Sequence, residues 1–175
     1  MKKNKGFTLV ELLAVIVILA IIMIIAIPAV LQTMQSARQK TFKEYVTKVY
    51  TTGQNAYLSN QTLGGNASGV KPVNVKLSGN DCVAFDVKTG LGLSSTGSYD
   101  GAVVVCPATT VGASTKIYVG LKDDNYSTKG YVEYKGEDSF ELGTSSEFTY
   151  TKLTEPAAGE EKTDLTSQVV ANKAN

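Results

Sequence analysis

From Leu12 to Ile27 the chain carries no polar side chain, and the run continues to Leu31 broken only by Pro28. At 1.5 Å per residue that stretch makes a helix of about 30 Å, the thickness of a bilayer's hydrocarbon core. Nothing else in the sequence restricts the fold so tightly, because such a segment must be surrounded by lipid or protein. Glu11 sits just inside its near end. A carboxylate at bilayer depth costs roughly 2.5–3.5 kcal/mol even on mild insertion scales, so its retention needs a reason. A cleaved secretory signal has a shorter apolar region and a small-x-small site, for which Ser36-Ala37 is a weak match. A retained membrane helix is the better reading. Lys2, Lys3 and Lys5 precede it, while Arg38, Lys40, Lys43 and Lys48 follow, so flanking charge barely sets its orientation.

The helical pattern continues past the apolar run. Phe42, Tyr45, Val46, Val49, Tyr50 and Tyr57 recur at spacings of three, four and seven, the stripe of an amphipathic helix. The intervening "QTMQSARQKTF" holds no Gly or Pro, so one helix is expected from about Phe7 to Leu58. Pro28 should bend it, because proline lacks the ladder N–H. Pro28 is either a kink tolerated in a membrane helix or a place where the helix loosens on packing.

After "SNQTLGGNASG" the period changes to two. Strands are expected at 70–77, 82–87, 101–108, 115–122, 130–135 and 148–153, separated by turn residues such as Ser78-Gly79-Asn80-Asp81 and Asp123-Asp124-Asn125. The close spacing favours antiparallel pairing, with one sheet face covered by the Phe42/Val46/Val49 stripe. The fold class is therefore α+β, a long N-terminal helix plus an antiparallel sheet. The expected divisions are 1–6, 7–31, 32–58, a β-rich domain at 59–155 and a polar tail at 156–175. That tail is expected to be loosely held, with at most a short helix near Asp164 to Ala171.

Composition narrows the chemistry. The 175 residues hold 17 basic and 16 acidic side chains, so no bulk positive charge points to nucleic acid, and none is expected as a partner. Histidine is absent, which removes the usual general base, the usual zinc ligand and every His-dependent triad. "LKDDNYSTKG" lacks the spacing and closing Glu of an EF-hand and reads as a hairpin turn. "GLGLSSTGSYDG" lacks the Gly-Lys-Ser/Thr ending of a phosphate loop. No metal, cofactor or catalytic residue is assigned, and no enzyme activity is expected. Cys82 and Cys106 are either one disulfide, closing a loop worth roughly 3.5 kcal/mol, or two buried thiols in apolar strands. A disulfide would place the larger part of the chain outside the cytoplasm.

The opening segment resembles the type IV pilins and pseudopilins. A short basic leader ends in Gly6, Phe7-Thr8-Leu9-Val10-Glu11 follows, and the apolar run begins in fixed register with them. The pattern extends over Lys2 to Leu58, Pro28 included, whereas the β-rich part matches only in layout. The resemblance implies that prepilin peptidase cuts between Gly6 and Phe7 and methylates the new Phe7 amine. It implies that the pilus assembly machinery then draws the subunit from the membrane into a helical homopolymer, a surface filament serving adhesion, motility or aggregation. In that assembly Glu11 would meet the Phe7 amine of its own chain or of a neighbour. One partner left alone in such a buried pair costs several kcal/mol, so the acid sets register while area burial supplies adhesion. Two other roles remain open: a pseudopilin or minor pilin of a secretion or DNA-uptake system, and a single-span anchored binding domain.

Overall fold

A computed structural model describes residues 7–64, 69–93, 98–157 and 159–172. The chain divides between Lys40 and Thr41 into two compact units. Helix α1, Leu9–Thr62, supplies the described helical part of the first unit and the first element of the second. Its assignment runs unbroken through Pro28. It ends four residues later than the apolar stripe predicts. The last polar turn is helical too, with the Thr62 hydroxyl bonded back to the Leu58 carbonyl at 2.9 Å. Gly64, at φ +61°, then turns the chain out in the left-handed region that glycine adopts without strain.

In the second unit, α1 buries Phe42, Tyr45, Val46, Val49, Gly53 and Ala56, with Tyr50 and Tyr57 half-buried at the margin. Against it lies a sheet of β1 (Pro72–Leu77), β2 (Asn80–Asp86), β3 (Asp100–Cys106), β4 (Lys116–Lys122), β5 (Tyr126–Ser127), β6 (Tyr131–Glu133), β7 (Gly143–Thr144), β8 (Thr163–Asp164) and β9 (Val169–Val170). The spatial order is β7-β5-β4-β3-β2-β1-β8, and β6 pairs with both β4 and β9. Pairing is antiparallel except for β1 with β8 and β6 with β9. Since β3 occupies one side of β4 along its whole length, β5 and β6 share the other.

Strand β3 shows how its sequence serves this arrangement. Val103 and Val105 join the cluster on the helix side with Phe42, Val46 and Val49. Ala102, Val104 and Cys106 join a second cluster with Val73, Val75, Tyr131, Phe148, Leu153 and Leu165. Both faces are covered, and a strand buried on both reads as a continuous apolar run rather than an alternating one. The helix seats closely: a Cβ built on Gly53 would lie 2.7 Å from Val103 Cγ1. Around that seat Tyr45 stacks on Tyr99 at 3.8 Å and Tyr50 on Tyr134 at 4.3 Å. Lys43 pairs with Asp138 at 3.1 Å.

Coverage of the second face corrects two expectations. Residues 148–153 form no strand: Phe148 is buried and Tyr150 half-buried at the alternate spacing of a strand, but buried Leu153 falls out of that register. They lie on a face rather than in a ladder, so alternation here marks packing without pairing. The region expected as a loose tail is tied down. There is no helix from Asp164 to Ala171; a short 3-10 turn at Thr166–Gln168 links β8 and β9 instead. Leu165 is buried, its N–H donates to the Lys76 carbonyl at 2.9 Å, and Thr166 Oγ1 accepts from Ser78 N at 2.8 Å. Glu155 accepts from Asn74 N and Nδ2 at 3.0 and 2.7 Å. Edge strands left with free backbone groups invite pairing with other chains, and these contacts cover β1.

Candidate functional site

The N-terminal end of α1 is built by its own first turn. Thr8 precedes the helix, and its N–H and Oγ1 donate to Glu11 Oε2 at 2.8 and 2.9 Å. The Glu11 N–H donates back to Thr8 Oγ1 at 3.3 Å. This reciprocal arrangement is a capping box, which satisfies backbone donors that a helix start leaves orphaned. Thr8-x-x-Glu11 ahead of an apolar run is its sequence signature, a signal present in the chain but not used in the reading above. Both bonds to the carboxylate go to one of its oxygens. Phe7 is 89% exposed. Gly6, the other half of the expected cleavage junction, lies outside the described residues.

From Leu9 to Leu31 each large apolar side chain is at least 51% exposed. Soluble monomers rarely present contiguous apolar patches above a few hundred Å². The helix is long and apolar enough to cross a membrane. Its apolar half therefore needs lipid or other protein around it, and Glu11 stands at the edge of that surface.

The chain carries the prokaryotic N-terminal methylation motif. The family model of that motif matches residues 1–27, which hold Gly6, Phe7, Glu11 and most of the apolar run. This is the leader signature of type IV prepilins. With the long N-terminal helix and the mostly antiparallel sheet, it supports a type IV pilin-like or pseudopilin precursor, anchored in the membrane before assembly. The motif implies processing by a peptidase and assembly, and with the architecture it points to a structural protein. No curated protein and no solved structure matches the chain.

In the second unit a disulfide joins Cys82 to Cys106, tying β2 to β3 with Cα atoms 4.3 Å apart. It lies within the cluster on the face away from α1. Asp86, at the end of β2, is 5% exposed. Its Oδ1 accepts from Lys88 N, Thr89 N and Thr89 Oγ1 at 2.9, 2.8 and 3.0 Å, and the Tyr150 hydroxyl donates to Oδ2. Burial pushes the Asp86 pKa up, but the Tyr150 and Thr89 donors outweigh it and hold the carboxyl below its ordinary value. Burial and the same carboxylate push the Tyr150 hydroxyl well above the usual phenol range. Sequence reading passed over this pair because Tyr150 comes from the misassigned strand. Asp123, in the turn between β4 and β5, accepts from Asn125 N and Tyr126 N at 2.7 and 2.6 Å, so its Oδ1 shapes the turn.

Proposed function

We propose that this chain is the precursor of a type IV pilin. It is cut between Gly6 and Phe7, methylated on Phe7 and polymerised through the apolar half of α1 into a filament on the cell surface. The observation that carries this reading is the methylation motif over residues 1–27, adjoining a helix whose apolar side chains are exposed on the single subunit. The divisions fit that sequence of events: leader at 1–6, membrane and filament-core segment at 7–31, then the segment that carries the β-rich domain. Membrane lipid covers the apolar segment before assembly, and neighbouring subunits cover it afterwards. Pro28 is then a position where the helix can loosen as subunits pack.

Glu11 serves as the assembly residue in this reading. The capping box occupies one carboxylate oxygen locally, and the Phe7 amine freed by cleavage is the cation the acid meets in the filament. Glu11→Val makes the segment more apolar, so membrane insertion should survive or improve. The processed variant should accumulate in the membrane with few filaments seen by electron microscopy of sheared material. Co-expressed with wild type, it should be under-represented in filaments, because each copy leaves a neighbour's buried amine unpaired. Normal filaments made from Glu11→Val alone would remove the assembly role. Abundant filament in sheared surface material also separates a pilin from a pseudopilin.

A further inference from the structure

The second unit contains a groove of about 490 Å³ whose lining the assembly reading does not use. One wall is the last turns of α1, where Tyr50, Gln54, Tyr57 and Gln61 fall on one face at spacings of four, three and four. The opposite wall is the start of β4 and the end of β6, with Lys116, Glu133 and Tyr134. We infer that this groove binds a neutral saccharide.

Four observations select that ligand class. The volume lies within the range of small-molecule sites, about 300–1,000 Å³, and suits one or two sugar rings. The aromatic groups are held in place before any ligand arrives. Tyr50 stacks on Tyr134 at 4.3 Å, and the Tyr134 and Thr47 hydroxyls bond at 2.7 Å. Gln61 Nε2 donates to the Tyr57 hydroxyl at 2.6 Å. Aromatic rings with a polar tip offer an apolar face to sugar C–H groups and a hydrogen bond beside it. The hydrogen-bonding capacity is mixed. The Gln54 side chain makes no hydrogen bond to the described residues, leaving an amide that both donates and accepts, as a hydroxyl-rich ligand requires. Charge is balanced: Lys116 is the cation of the lining and Glu133 its anion, the latter also 3.5 Å from Lys135.

Competing occupants fit less well. An extended peptide needs a free strand edge, but the Ile117 carbonyl already accepts from Tyr134 N at 2.9 Å. A purely apolar ligand would strip water from the Gln54 and Lys116 side chains without replacing it. This inference stands apart from filament formation, since neither cleavage nor polymerisation enters it.

The test uses the full chain in a zwitterionic, sugar-free detergent, with saturation-transfer NMR against maltose, lactose and N,N′-diacetylchitobiose, and sialyllactose as the acidic comparison. At least one neutral disaccharide should bind saturably. Gln54→Leu should weaken that binding at least tenfold. Because Gln54 is exposed on α1, the melting temperature should stay within a degree or two of wild type, so loss of binding will not be loss of fold. Lys152→Gln, outside the groove's lining, should bind like wild type. Absence of saturable binding by all three neutral sugars overturns the inference. So does binding that Gln54→Leu leaves intact, or a preference for the acidic trisaccharide.

Discussion

Two carboxylates in this chain do different work because their surroundings differ. Glu11 caps the start of an exposed apolar helix, whereas Asp86 is enclosed by four donors. The second case has a pH consequence. The folded Asp86 carboxyl titrates below its unfolded value, so between the two the unfolded chain binds more protons and stability rises with pH. Its contribution is complete above the unfolded value of about 3.9 and is lost as pH falls through the folded one. Chemical denaturation from pH 7 down to pH 2 should show that loss beginning near pH 4. Asp86→Asn should keep much of the neutral-pH stability while flattening this part of the acid profile. Asp86→Ala should cost about 3 kcal/mol at pH 7, because it leaves the Tyr150 hydroxyl and the turn N–H groups without their acceptor. An unchanged acid profile in Asp86→Asn would assign the acid sensitivity to other groups.

At the scale of elements, the seating of α1 on β3 and the bridge between β2 and β3 decide how firmly the second unit holds. Alanine is the better helix former by about 1 kcal/mol, so Gly53→Ala on an open helix face would stabilise. Here the added methyl meets Val103, whose atoms lie on the strand's helix-facing side. The variant should instead melt lower, with a net loss of about 1–3 kcal/mol from overpacking; a raised melting temperature would show that the seat can widen freely. Cys82→Ser should cost about 3 kcal/mol by freeing the 24-residue separation that the bridge closes. Much of this architecture was legible in the sequence. The Phe42/Val46/Val49 stripe declared the helix face, and period-two runs between turn residues located β1 to β4. What the sequence concealed was long-range. "FTYTKL" alternates like a strand, yet its partners are side chains of the sheet's second face, and no local pattern records that difference. "TDLTSQVV" reads as polar and loose because its anchors, Leu165 and the short pairings with β1 and β6, lie far away along the chain. At the candidate site, Gly6, Phe7 and Glu11 stood out because their register against the apolar run is local, while the Asp86–Tyr150 pair did not, since it needs the fold to bring the two together.

For the whole molecule, the proposed function has one sequence serve two surroundings in turn. In the proposed function the apolar half of α1 would meet lipid first and neighbouring subunits later, and its exposed side chains suit both because neither surrounding is water. Retention of that segment after cleavage would separate this chain from one with a secretory signal, whose apolar region leaves with the leader. In the proposed function, cleavage between Gly6 and Phe7 would remove the leader lysines and create a new amine four residues from Glu11, so processing would generate the cation that the proposed assembly residue requires. The methylation motif over residues 1–27 makes this step the core of the account. N-terminal mass spectrometry of the surface form, sheared from cells and purified, tests it most directly. The N-terminal peptide should begin at Phe7 and carry a single methyl group on its amine. A peptide retaining Met1, or one beginning after Ala37, would contradict the account.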